Sequence, residues 1–163
     1  MMNRLMLVLA GIALYLAANR GAAEVVVVVS SEADLKSLDR NTLENIYLGR
    51  PARLPDGTNA VPLDLPEGSA QRIEFYAELL NRSEAQIKAH WARLIFTGRG
   101  RPPRILANSE ALLDWLHRNP GSIGYLDRSL VDERVRVVYS PATGSEAPTS
   151  VRSLPTTSGA SET

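Results

Sequence analysis

The spacing of apolar residues along this chain changes period several times, and each change marks an element. Five consecutive valines at 25–29 predict a strand covered on both faces, and so a sheet with helices packed against it. Leu35, Leu38, Leu43, Ile46 and Tyr47 then recur at helical spacing, with Asp39 as the cap of a short helix that Gly49 stops. Two prolines and a Pro-Asp-Gly turn fill residues 50–59, and 60–63 is a short apolar strand. From Glu67 the helical period returns, with Ile73, Tyr76, Leu79 and Leu80 on one face and Asn81 at the end. Ser83 caps a third helix striped by Ile87, Trp91, Leu94 and Ile95. A fourth opens at Ser109 and Glu110, continues through Leu112, Leu113 and Leu116, and breaks at Pro120-Gly121. Residues 122–126 and 135–139 read as two further strands on either side of a polar turn. The predicted order is β-α-β-α-α-α-β-β, an α/β domain.

Both ends depart from this patterning. Arg4 precedes a 14-residue apolar run over 5–18, and small residues follow at Gly21, Ala22 and Ala23. That order predicts a removable signal peptide over 1–23, because a helix crossing a bilayer needs about 20 apolar residues. Residues 141–163 are mostly Ser, Thr, Pro, Gly, Ala and Glu, too polar to offset the entropy of ordering them, and predict a disordered tail. The expected organisation is therefore a signal peptide at 1–23, one α/β domain at 24–140 and a tail at 141–163. It places the mature protein in the periplasm, soluble and with no stable membrane span.

Cysteine is absent, which excludes a disulfide framework and a lipid-modified cysteine. The 18 basic and 18 acidic side chains balance, and loss of 1–23 removes Arg4 and Arg20 and no acid, leaving a formal charge of −2. Nothing in that balance calls for nucleic acid.

Catalytic constellations are sparse. His90 and His117 are the two histidines, neither in a paired-histidine helical metal motif, and Ser122 is not flanked by glycine at both second neighbours, the mark of a nucleophile elbow. Asp64 and Glu67 are spaced to pair as acid and base, but loop carboxylates are commonplace. Residues 98–104 carry Arg99, Arg101 and Arg104, three guanidiniums suited to an oxyanion but without the Lys-Ser/Thr end of a nucleotide phosphate loop. The reading is no enzyme, no cofactor and no metal, with a hydrolase a distant third hypothesis.

Three motifs stand in order along the chain. They are Leu43-Glu44-Asn45-Ile46-Tyr47-Leu48-Gly49-Arg50, then Trp91 followed by Phe96-Thr97-Gly98 and Pro102-Pro103, then Pro120-Gly121-Ser122-Ile123-Gly124-Tyr125. Together they resemble the phosphate ABC-transporter substrate-binding proteins, over roughly residues 25–138. The resemblance implies one lobe of a type 2 periplasmic-binding fold, a mixed sheet flanked by helices. Full members have two lobes closing on a solute, so the first lobe is expected to be missing here.

In that family a Ser-Gly-Thr stretch at a helix start, with an arginine shortly before it, grips phosphate. The resemblance places the counterpart at Gly68, Ser69, Ala70, Gln71 and Arg72. Ser69 fits the serine, Ala70 and Gln71 replace the glycine and threonine, and Leu65 stands where the arginine is expected. A helix start still offers unpaired N–H groups and a partial positive charge, together about 2 kcal/mol from the dipole and about 1.5–3 kcal/mol per charged hydrogen bond. After the entropy of association, an isolated lobe reaches roughly millimolar affinity, about −4 kcal/mol. The expected partner is a small oxyanion such as phosphate, completed by a second lobe or another periplasmic protein. The alternative is a ligand-free periplasmic interaction module on the same fold.

Overall fold

A computed structural model of the chain describes residues 24–54, 57 and 59–141. The signal-peptide expectation for 1–23 and the tail expectation from 142 onward lie outside these residues.

Five strands, β1 (Val25–Ser30), β2 (Val61–Asp64), β3 (Arg104–Ile105), β4 (Ser122–Asp127) and β5 (Val135–Tyr139), form one mixed sheet in the order β3-β2-β4-β1-β5. β2 runs parallel to β3 and β4, whereas β1 lies antiparallel between β4 and β5, with a register shift against β5 at Val27/Val28. Every residue of β1 is buried, as a central strand with both faces covered requires.

Four helices cover the sheet: α1 (Arg40–Tyr47), α2 (Ala70–Leu80), α3 (Glu84–Phe96) and α4 (Ser109–Arg118). Neighbouring residues of a strand point to opposite faces. On β4, Gly124 faces Leu112 of α4 while Tyr125 stacks on Phe75 of α2, so α2 and α4 clothe opposite sides. α1 and α3 pack against α2.

Local chemistry explains the helix starts. Asp39 caps α1 by accepting from the Thr42 N–H at 2.9 Å, and Ser83 with Gln86 forms a capping box on α3. α4 opens at Ser109 as expected, and Asn108 caps it, accepting from Ala111 N–H at 2.9 Å.

Three expectations change. Arg104 and Ile105, where no strand was expected, pair as β3 with Leu63 and Asp64; two residues are too few to show a strand period. Ile73 is 48% exposed and Phe75 takes its place in the core. Phe75, Tyr76, Leu79 and Leu80 define the α2 stripe, and Ile73 lies at its margin. Ile95 likewise stands 55% exposed on α3, outside the stripe of Ile87 and Trp91.

The three sequence motifs meet through close packing. Gly49, at φ +65°, comes so near Trp91 that an added Cβ would lie 2.6 Å from the indole Cη2. Tyr125 stacks on Phe75 with ring centroids 3.9 Å apart and 5° between planes, and Tyr47 meets both rings edge-on.

Candidate functional site

The site forms where β2 ends and turns into α2. Ser69 N–H closes a turn onto the Pro66 carbonyl at 3.1 Å, and Gly68 sits in it at φ +84°, the left-handed position that glycine adopts without strain. Asp64, the last residue of β2, is 3% exposed. A carboxylate that deep needs several donors, and four converge on it. Leu65 N–H donates to Oδ1 at 2.9 Å, Tyr125 Oη–H to the same oxygen, Tyr76 Oη–H to Oδ2 at 2.9 Å and Arg72 Nε–H to Oδ2 at 3.2 Å.

Arg72 is itself buried and serves two acids, with Nη1 2.5 Å from Glu84 Oε1 at the start of α3. Burial opposes its charge, but the field of Asp64 and the hydrogen bonds to Asp64 and Glu84 outweigh that and raise its pKa. Burial also pushes the Tyr76 and Tyr125 phenols well up, with the Asp64 charge adding to it, so both remain protonated donors.

Glu84 then reaches the turn. Gly68 N–H donates to its carboxylate, with Oε1 and Oε2 at 3.1 and 3.2 Å. One carboxylate thus spans the Gly68 amide and the Arg72 guanidinium.

The remaining residues of the predicted set divide. Ser69 is the N-cap of α2, yet its hydroxyl makes no cap bond and is buried without a partner. Ala70 is exposed at the first helical position, and among the described residues no side chain caps the amides of that turn. Gln71 Oε1 accepts from Ser109 Oγ–H at 2.7 Å, which ties the N-terminus of α2 to that of α4. Sequence reasoning missed Glu84, Tyr76, Tyr125 and Ser109 as members of this cluster. Glu84 had an ordinary signal, an acid in the first turn of a capped helix, and nothing in the sequence shows that it turns back to Gly68.

Beside Arg72 lies a cavity of about 250 Å³ bounded by Asp64, Arg72, Trp91, Ile95, Pro103 and Ile105, with a Lys88–Glu67 ion pair of 3.0 Å between two other lining residues. Asp64 and Glu67, weighed as an acid and base, therefore sit in different settings: one is enclosed by four donors, the other exposed and paired. His90 Nε2 lies 2.9 Å from the Leu48 carbonyl and joins α3 to the end of α1. Arg99 and Arg101 are exposed, while the Arg104 guanidinium lies 3.8 Å over the Trp115 ring, so the three do not form one cradle. Among the described residues no group of three or more His, Cys, Asp or Glu is placed to hold a metal, and no helix is long and apolar enough to cross a membrane.

A mixed sheet with one antiparallel strand, helices on both faces, and a polar cluster beyond the end of a parallel strand define one lobe of the periplasmic-binding-protein fold. More closely, the fold is that of phosphate ABC-transporter substrate-binding proteins. An ABC-type phosphate transport receptor from Vibrio cholerae superposes with a TM-score of 0.56 at 14% identity, over 71% of this chain and 45% of that one. A phosphate ABC transporter substrate-binding protein from Clostridium perfringens, so described and solved with bound phosphate, gives 0.56 at 18% identity over 71% and 44%. PstS from Borrelia burgdorferi gives 0.53 at 12% identity over 71% and 46%. The chain thus spans less than half the length of these structures. No family model matches it, and no curated protein matches it in sequence.

Proposed function

We propose that this chain is a solute-binding lobe, exported by way of residues 1–23 to the periplasm, that receives a small oxyanion of the phosphate type at the N-terminus of α2. The observation that carries the reading is the Glu84 carboxylate seated on Gly68 N–H and Arg72 Nη1. Two oxygens sharing one negative charge already occupy that seat, and a phosphate presents the same chemistry once Glu84 swings away. The uncapped amides of Ala70 and Gln71 extend the seat along the helix start, where the dipole favours an anion. The phosphate held by the Clostridium perfringens protein supports the ligand class. The chain acts by binding rather than by turnover, and a second lobe or another periplasmic protein completes the enclosure.

Calorimetric titration of the protein with phosphate and sulfate tests this. Ala70→Pro provides the control, because proline is accommodated at the first helical position and removes only the N–H. Loss of one charged hydrogen bond predicts at least about tenfold weaker phosphate binding with the fold intact. Absence of heat for any oxyanion sinks the reading.

The same Glu84 contact also favours a second reading, a ligand-free interaction module. Asp64, Glu84 and Arg72 carry a net charge of −1, which repels a further anion. A stoichiometric protein complex that forms identically with and without phosphate, and no oxyanion heat, is its signature.

A further inference from the structure

The strongest charge asymmetry in the chain lies in the segment that runs from α3 to β3. Residues 85–109 contain Lys88, Arg93, Arg99, Arg101 and Arg104 and no acid, in a sequence whose totals balance. Lys88 pairs with Glu67 and Arg104 lies on Trp115. Arg93, Arg99 and Arg101 are exposed, with no side-chain partner among the described residues.

The apolar residues of the same segment are equally unspent. Phe96, at the last position of α3, is 92% exposed, and Ile95 and Ile105 are 55% and 60% exposed across the cavity that both line. The loop leaving α3 folds back on its end, with Gly98 N–H on the Ile95 carbonyl at 3.0 Å and Arg99 N–H on the Leu94 carbonyl at 2.9 Å. That fold-back holds Arg99 beside the helix end that bears Phe96, while Arg93 lies one turn behind it on the same side.

We propose that this edge of the domain, from the last turn of α3 to β3, rests on an anionic lipid surface, with Phe96 and the two isoleucines entering the interface and Arg93, Arg99 and Arg101 meeting phosphate headgroups. Cations flanking projecting apolar side chains are the chemistry of an interfacial contact. Two of the three apolar groups are aliphatic and cannot stack bases, which argues against a nucleic acid. Phe96 projects rather than lining a pocket, so a protein partner would have to supply its own socket, whereas a bilayer interface needs none.

The test uses the full chain with vesicles of mixed phosphatidylglycerol and phosphatidylcholine, or of phosphatidylcholine alone. Hydrogen exchange is followed at the amides within residues 97–105, prolines 102 and 103 having none, so that lipid contact by the N-terminal apolar run is read separately. Anionic vesicles are expected to protect these amides and neutral ones are not. The apparent partition coefficient should fall about 25-fold in the Arg99→Gln/Arg101→Gln double variant, about fivefold per cation, and about tenfold in Phe96→Ser. All three residues are exposed, so both variants keep the fold. Binding without protection at 97–105, unchanged partition in both variants, or equal protection by poly-glutamate that ignores Phe96→Ser would overturn the proposal.

Discussion

Glu84 holds the backbone amide of Gly68 from the start of the next helix, its two carboxylate oxygens 3.1 and 3.2 Å from the nitrogen. On the proposed reading, this contact sets an internal acid in competition with an external oxyanion.

Glu84→Gln keeps the shape of the side chain and removes its charge. Phosphate should then bind about fivefold or more tightly, since neutralising one adjacent anion is worth about 1 kcal/mol in a partly exposed site. Calorimetry on the variant reads this directly, and weaker or unchanged binding means Glu84 is not the competitor.

Asp64 is expected to dominate stability. Asp64→Ala removes the acceptor shared by Leu65, Tyr76, Tyr125 and Arg72, and strips a buried guanidinium of one of its two acids. Breaking a buried pair from one side costs about 3–5 kcal/mol. Asp64→Asn keeps one acceptor oxygen, enough for one of the two phenols, and should cost less than Asp64→Ala. Urea unfolding of the two variants distinguishes a polar network from simple packing; equal losses would mean packing alone.

Asp39 supplies a pH-dependent contribution. The hydrogen bond from the Thr42 hydroxyl, then that from the Thr42 amide, lowers its pKa below the ordinary value. A carboxylate depressed in the folded state stabilises above its unfolded pKa, and the contribution is lost as pH falls through the folded one. Asp39→Ala should therefore cost about 1 kcal/mol at neutral pH, and the gap to the parent should close below the usual carboxylate range. Thermal melts across an acid series measure it; a gap independent of pH contradicts the assignment.

Gly49 is predicted to tolerate no side chain. Its φ of +65° is already unfavourable for other residues, and a Cβ would collide with the Trp91 ring at 2.6 Å. Gly49→Ala should destabilise by about 1–3 kcal/mol and perturb tryptophan fluorescence. An unchanged melting temperature would show that the ring moves freely.

Much of the architecture was legible because periodicity reports burial. The valines of β1, the leucines of α4 and the Asp39 and Ser83 caps each follow from rules that act within a few residues. β3 escaped because its two residues are defined only by pairing with β2, and Ile73 was misplaced because a stripe's margin depends on the neighbour it meets.

The line of residues therefore settles the α/β class, the four helices and every strand but β3, all of which depend on short-range periodicity, capping and turn chemistry. Which groups share the space beyond β2 is settled only in three dimensions. Asp64, Arg72, Glu84 and Tyr125 are brought together across up to 61 positions by strand pairing and helix packing. A carboxylate's partners depend on distances of a few ångströms, and no local pattern in the chain encodes those.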